Sequence, residues 1–131
     1  MIDGGAGNDS IENHGYKVKI SGGAGNDSLV SGGGNNSLWG GKGNDTLLSG
    51  YGDVFIYAKG DGKDIIFGFD DNDTLTLDNL EFTSASYSKS KGTVTLKLDG
   101  GSITLKDFTA ETFHINDDTY KISDSKFVKQ N

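Results

Sequence analysis

The first half of the chain carries an aliphatic side chain at every ninth position, within otherwise polar and glycine-rich sequence. The period is kept at Ile2, Ile11, Ile20, Leu29, Leu38, Leu47, Ile56 and Ile65. Three residues make a minimal strand whose central side chain points inward. The six residues between strands would form a turn, since glycine there costs a helix about 1 kcal/mol per residue. The pattern predicts coils of two such units, each coil with two turns and two short strands, stacked into two parallel sheets.

The second half of the chain loses this period and alternates apolar and polar residues. Turn signals at Lys91-Gly92, Asp99–Gly101 and Asn116–Asp118 separate the alternating runs, as is typical of antiparallel hairpins. We therefore predict an all-β chain with two parts. Residues 1–69 form a right-handed, two-sheet parallel β-roll, and residues 70–131 form an antiparallel β cap.

The residue after each inward aliphatic is predicted to face outward, and this position turns apolar toward the C-terminus. It holds Trp39, Leu48, Tyr57 and Ile66. A solvated sheet face would stay polar. We therefore expect residues 70–128 to cover this face and to close the open end of the roll. As an alternative, Trp39 and Tyr57 form a ligand surface that stacks on sugar rings.

The turn sequence recurs in every second unit, as GGAGND at Gly4–Asp9 and Gly22–Asp27 and as GGKGND at Gly40–Asp45. Turns with this spacing stack on one edge about 4.8 Å apart, which predicts a column of carboxylates. Its members would be Asp9, Asp27, Asp45 and Asp64. Two charges at that distance repel by about 1 kcal/mol in water, and by several at an effective dielectric near 20. A cation with six to eight hard oxygen ligands, such as Ca²⁺, would remove this repulsion.

The motif resembles the nonapeptide GGxGxDxUx of the repeats-in-toxin family, a calcium-binding parallel β repeat. The resemblance covers about residues 2–67, and Asp64–Leu77 is similar to the segment that ends many such arrays. It implies calcium held by aspartates and by carbonyls at motif positions 1 and 3 of one turn and 2 and 4 of the next. Site one is then Gly4, Ala6, Asp9, Gly23, Gly25 and Asp27. Site two is Gly22, Ala24, Asp27, Gly41, Gly43 and Asp45. Site three is Gly40, Lys42, Asp45, Gly60, Gly62 and Asp64, and it requires a one-residue insertion near Ala58.

The turns of the opposite edge depart from the motif. They are Asn13–Val18, Ser31–Asn36 and Ser49–Val54, with Val18, Asn36 and Val54 at the ligand position. Asp53 could serve there if its turn is one residue short. We predict about three Ca²⁺ on one edge only, with the other edge closed by hydrogen bonds within its turns.

Composition narrows the classes of function. The net charge of −7 disfavours nucleic acid and anionic membranes. Cysteine is absent, which excludes disulfides and thiolate metal sites. His14 and His114 lack an HExxH partner, and Asp70–Asp73 lacks EF-hand spacing and is predicted to be a solvated turn. We see no catalytic constellation and predict that the module is not an enzyme and does not insert into a membrane.

These features predict a calcium-dependent folding and stabilising module of a secreted bacterial protein. Met1 precedes Ile2–Gly5, which resembles the middle of a repeat, so we expect a longer parent protein. The family resemblance implies export by type I secretion machinery, with residues 110–131 as the candidate signal. The alternative is an adhesin or a polysaccharide-binding accessory module of a secreted enzyme, with a glycan as its partner.

Overall fold

A computed structural model describes residues 1–78, 82–88, 90–108, 112–123 and 126–130, and its regular elements are strands. The first nine are β1 (Ile2–Asp3), β2 (Ser10–Asn13), β3 (Lys19–Ser21), β4 (Ser28–Ser31), β5 (Ser37–Trp39), β6 (Thr46–Leu48), β7 (Val54–Ala58), β8 (Lys63–Phe67) and β9 (Thr74–Asp78). The others are β10 (Phe82–Ser88), β11 (Thr93–Leu98), β12 (Gly101–Lys106), β13 (Thr112–Ile115), β14 (Asp118–Ser123) and β15 (Lys126–Gln130). No helix among these residues is long and apolar enough to cross a membrane.

Successive strands of the first half alternate between two sheets. One sheet has the order β1-β3-β5-β7-β9-β13-β14-β15, and the other has β10-β11-β12-β8-β6-β4-β2. Pairing from β1 to β9 is parallel within each sheet, with Ile20 opposite Leu38 and Leu29 opposite Leu47. These four side chains are at most 2% exposed and fill the space between the sheets. The predicted all-β parallel roll is confirmed.

The regular register breaks after Leu47. Phe55 rather than Ile56 lies opposite Leu38, and Ile66 rather than Ile65 lies opposite Leu47. Leu47 and Phe55 are eight residues apart, and Phe55 and Ile66 are eleven apart, so one turn is one residue short and the next is two residues long. A shift of one residue moves a side chain to the opposite face of a strand. Phe55 and Ile66 are accordingly core residues.

The prediction of Ile56 and Ile65 as core residues was therefore wrong. The prediction that Tyr57 and Ile66 face outward was wrong for the same reason, because they are 1% and 2% exposed. The two errors have one cause, since the regular count was carried through turns of unequal length.

The C-terminal strands extend both sheets. β12 pairs in parallel with β8, and β10, β11 and β12 form an antiparallel set. On the other sheet, β13 pairs in parallel with β9, and β14 and β15 follow in antiparallel order. The predicted antiparallel strands are confirmed, and they close the C-terminal end of the roll. They do not cover its outward face, because Trp39 and Leu48 remain 41% and 37% exposed.

The core continues into these strands through aromatic contacts. Phe55 packs on Phe69 with ring centroids 5.9 Å apart, and Phe113 lies 5.8 Å from Phe108 and stacks on Tyr120 at 5.5 Å. β9 pairs in parallel with β7, so the two-sheet arrangement continues beyond residue 69. The domain boundary at residues 69 and 70 stays a prediction.

The shifted register can be tested with two neighbouring isoleucines. We expect Ile66→Ala to lower the free energy of unfolding by about 2–5 kcal/mol, because it leaves a cavity between the sheets. Ile65→Ala removes the same atoms from the opposite face of β8 and should cost less than half as much. Urea unfolding of both variants in saturating calcium makes the comparison. A larger loss for Ile65→Ala would restore the unbroken register.

Candidate metal-binding edge

The motif turns stack so closely that only glycine fits at their second and fourth positions. Gly23 and Gly25 have φ angles of 89° and 110°, a region that L side chains rarely adopt. A methyl group at Gly23 would collide with the carbonyl oxygen of Gly5, and one at Gly25 with that of Gly7. Gly41 and Gly43 repeat this arrangement one coil later. The glycines therefore bring the backbone oxygens of one turn against the next turn.

One hydrogen bond recurs in every layer of this edge. The amide of Asp9 donates to Oδ1 of Asp27 over 2.7 Å, and the amide of Asp27 donates to Oδ1 of Asp45 over 2.8 Å. The amide of Asp45 completes the series by donating to Oδ1 of Asp64 over 2.9 Å. The structure thus brings all four predicted aspartates into one column. Asp45 and Asp64 are 19 residues apart in the sequence, whereas Asp27 and Asp45 are 18 apart, as the predicted insertion requires.

The second carboxylate oxygen of the first three aspartates has no partner. Oδ2 of Asp9, Asp27 and Asp45 is buried and accepts no hydrogen bond. Leaving a buried charged acceptor unsatisfied costs more than the roughly 1–3 kcal/mol of a neutral group. Three such atoms in one column mark positions where an electropositive partner is required.

Backbone oxygens converge on the same positions. A methyl group built on Gly4 would lie 2.6 Å from Oδ2 of Asp9 and 2.8 Å from the carbonyl oxygen of Gly22. The equivalent point at Gly22 lies 2.5 Å from Oδ2 of Asp27 and 2.7 Å from the carbonyl oxygen of Gly40. Groups of carboxylate and carbonyl oxygens of this kind fit Ca²⁺, which takes six to eight oxygen ligands. No group of three or more His, Cys, Asp or Glu side chains that could hold a metal occurs in the described part of the chain.

The carbonyl directions differ from the predicted order of ligands. Carbonyls at positions 2 and 4, as in Gly5 and Gly7, point toward the next turn. The carbonyl of Gly22, at motif position 1, points back toward Gly4. The carbonyl of Lys42, at motif position 3, also points back, because it accepts a hydrogen bond from the amide of Gly25 over 3.0 Å. The gap between the first two turns is thus lined by Gly5, Gly7 and Gly22. The order of ligands in predicted site one, with Gly4 and Ala6 in the first turn, stays a prediction.

The third gap differs from the first two. A methyl group at Gly60 would meet no atom, whereas one at the equivalent Gly41 would strike the preceding turn. The carbonyl of Gly62, a predicted ligand, accepts hydrogen bonds from the Tyr57 hydroxyl over 2.5 Å and from the amide of Ser102 over 3.1 Å. The Gly62 oxygen therefore points away from the third gap, toward β12, and is engaged by the protein itself.

Sequence reasoning missed Asp61, which is 2% exposed. Its Oδ2 accepts from Nε1 of Trp39 and from the amide of Ala58, both over 2.8 Å. The indole partner lies 22 residues away in the sequence, and no motif links the two positions. Asp61 therefore adds a negative charge beside the third gap.

The predicted aromatic ligand pair is not formed. The Tyr57 ring lies in the core, and burial, followed by the charges of Asp64 and Asp61, raises the pKa of its hydroxyl to about 12. Trp39 is exposed on the outer face, and its indole is held by Asp61. The two side chains therefore present no common surface to a sugar.

The opposite edge has the same series of amide-to-Oδ1 hydrogen bonds, but its column begins with Val18 and Asn36 rather than with aspartates. The amide of Val18 donates a hydrogen bond to Oδ1 of Asn36, and the amide of Asn36 donates to Oδ1 of Asp53. The amide of Asp53 then donates to Oδ1 of Asp73, and the three distances are 2.8 to 3.0 Å. The turn before Asp53 is one residue short, so Asp53 holds the column position in place of Val54. Asp73 is fully buried, which makes the prediction of a solvated turn wrong for this residue.

Burial makes several of these carboxyls weak acids in the metal-free fold. It raises the pKa of Asp64 to about 8, with smaller contributions from the charges of Asp45 and Asp61. It raises the pKa of Asp45 to about 6, and the charges of Asp27 and Asp61 add to the effect. On the other edge, burial raises the pKa of Asp73 to about 6 despite its hydrogen bonds.

Comparison with known proteins places this architecture in a class. Residues 1–12, 21–56 and 60–79 match the RTX calcium-binding nonapeptide repeat in four copies. The chain therefore belongs to the RTX calcium-binding repeat family, and the resemblance seen in the turn motifs is confirmed. A search of curated protein sequences found no match.

A solved structure shares the fold. The extracellular lipase LipA from Serratia marcescens superposes with a TM-score of 0.71 and 28% sequence identity. The match covers 81% of this chain but only 18% of the lipase. The chain is thus similar to a β-roll portion of a much longer secreted protein.

The raised pKa values predict how the metal-free module responds to pH. A carboxyl whose folded pKa exceeds its unfolded value of 3.8 contributes stability below the unfolded pKa. That stability is lost as pH rises through about 6 for Asp45 and Asp73 and about 8 for Asp64. In chelator, thermal unfolding should therefore occur at a higher temperature at pH 5 than at pH 8. A melting temperature that rises with pH in chelator would contradict these assignments.

Proposed function

We propose that this module binds calcium along the edge formed by Gly4–Asp9, Gly22–Asp27, Gly40–Asp45 and residues 59–64, and that the bound ions stabilise its fold. The observation that carries the proposal is the column of three buried Oδ2 atoms without partners. An ion in each gap would supply the missing positive charge and relieve the repulsion between stacked carboxylates. Membership in a calcium-binding repeat family supports the same conclusion.

Each gap contains one of these Oδ2 atoms, which favours about three ions. Asp27 contributes to two gaps, because its Oδ1 reaches back to the amide of Asp9 and its Oδ2 faces the carbonyl of Gly40. The third gap combines Asp45 with the displaced turn at residues 59–64. We propose that its ion is the weakest of the three.

We propose further that the module belongs to a secreted bacterial protein exported by type I machinery. The support is the likeness to an extracellular lipase and the repeat family itself. Extracellular calcium modules commonly have dissociation constants near 10⁻⁴–10⁻³ M, which lies above cytosolic calcium. The chain would then remain loosely folded during export and acquire its full stability outside the cell.

The calcium proposal predicts a specific loss on changing Asp27. Each site filled at tenfold above its dissociation constant adds about 1.4 kcal/mol of stability. Asp27→Ala should therefore abolish about two bound ions and about 3 kcal/mol of a calcium-dependent gain of about 4 kcal/mol. Calcium titration by calorimetry and by far-UV circular dichroism measures both quantities, with magnesium as the control ion.

A matched variant controls for the loss of one negative charge. Asp71→Ala removes an exposed carboxylate outside the column, so its calcium count and calcium-dependent stability should equal those of the wild type. If the wild-type chain binds no calcium at millimolar concentration, or if magnesium stabilises it equally, the proposed function is wrong.

A further inference from the structure

The two edges of the roll carry the same hydrogen-bonded ladder, but they differ in the side chains that form the column. On both edges a backbone amide donates to Oδ1 of the side chain one coil later. On the first edge the remaining atom is an oxygen without a partner. On the second edge the remaining atom of Asn36, of Asp53 and of Asp73 is hydrogen-bonded.

Asn36 shows this difference most clearly. It is 1% exposed, and its Nδ2 donates to the carbonyl oxygen of Gly15 over 3.1 Å and to Oγ of Ser31 over 2.9 Å. One donor thus joins oxygens from turns of two neighbouring coils. On the first edge that bridging role falls to the proposed ion. A neutral amide performs it here without a charge to compensate.

The carboxylates of the second edge are satisfied by donors from the protein. Oδ2 of Asp53 accepts the amide of Gly50 over 2.7 Å. Oδ2 of Asp73 accepts the amide of Asp70 over 3.0 Å and the hydroxyl of Ser49 over 2.8 Å. Charge-assisted hydrogen bonds of this kind are about twice as strong as neutral ones. These buried carboxylates therefore have partners that do not depend on a metal.

The first position of the turn separates the two edges in the middle of the roll. On the first edge Gly4 and Gly22 hold this position, and the two nearest oxygens are Oδ2 of the aspartate in the same turn and the carbonyl oxygen of the next turn. On the second edge Ser31 and Ser49 hold it, and their hydroxyls bond to Asn36 and to Asp73. In these two turns a side chain occupies the place that the first edge leaves open for an ion. Asn13, in the first turn of the second edge, differs, because its Nδ2 is buried without a partner.

We propose that the second edge of the roll is closed independently of calcium, with the Asn36 amide in the place of an ion. This edge is formed by the turns Asn13–Val18, Ser31–Asn36, residues 49–53 and residues 68–73. Calcium then governs the first edge alone, and its removal loosens the roll along one side. The inference rests on the proposed function, because the contrast requires calcium on the first edge.

Hydrogen exchange on the wild-type chain tests this without any substitution. The first edge is reported by the amides of Asp9, Asp27 and Asp45, each of which donates to a side-chain Oδ1 of the next coil. The second edge is reported by the amides of Val18, Asn36 and Asp53, which make the same hydrogen bond. Chelation should lower the protection of the first set at least about tenfold more than that of the second. An equal fall in both sets overturns the inference and leaves calcium binding intact. No fall in either set, with no calcium bound, overturns the proposed function instead.

A reciprocal exchange of amide and carboxylate adds a second test. Asn36→Asp places an oxygen against the Gly15 carbonyl, so it should reduce stability in calcium and in chelator alike, with the calcium count unchanged. Asp27→Asn keeps the acceptor for the Asp9 amide and directs a donor at the cradle that contains the Gly40 carbonyl oxygen. It should lose bound calcium and yet raise the melting temperature in chelator.

The control for the added charge is Asn35→Asp, at an exposed neighbour in the same turn, which should change little. An additional calcium ion bound by Asn36→Asp, with stability regained in calcium, would overturn the inference. If Asn36→Asp does not fold in either condition, the wild-type exchange data and Asp27→Asn decide the question.

Discussion

The structure depends on an electrostatic constraint, the stacking of aspartates in successive coils with one carboxylate oxygen in each gap left without a partner. Coils of parallel strands lie about 4.8 Å apart, so these charges cannot separate while the sheets stay paired. The column must be protonated, which the raised pKa values of Asp45 and Asp64 favour, or filled by cations. The glycines of the inner turns follow from this, because a side chain at Gly22 would fill a cradle and one at Gly23 or Gly25 would strike a carbonyl.

The core of the roll is a single layer of side chains between two sheets, so turn length controls which residues enter it. The short turn before Asp53 and the long one before Asp64 move Phe55 and Ile66 into the core together. This shift also brings Tyr57 inward, where its hydroxyl bonds to the Gly62 carbonyl at the point where β12 continues the sheet. The end of the aspartate column and the start of the antiparallel strands are thereby joined at one residue.

The sequence predicts the repeat, the two sheets and the aspartate column, because each follows from strict spacing over several coils. It predicts less where spacing varies by one residue, since Ile56 and Phe55 are equally apolar and only the length of the turn decides between them. The burial of Asp61 and Asp73 depends on distant partners, Trp39 for the first and Ser49 for the second, which no local pattern indicates. Carbonyl direction likewise depends on backbone angles, so the motif alone does not determine the order of ligands.

The most direct test of the central claim is a crystal structure grown in millimolar calcium, with anomalous scattering recorded at a long wavelength to locate the ions. We expect peaks only in the gaps beside Oδ2 of Asp9, Asp27 and Asp45, with the weakest beside Asp45. We expect no peak beside Asn36 or Asp53. Peaks distributed along both edges would contradict the division of the roll into a calcium-filled edge and a hydrogen-bonded one.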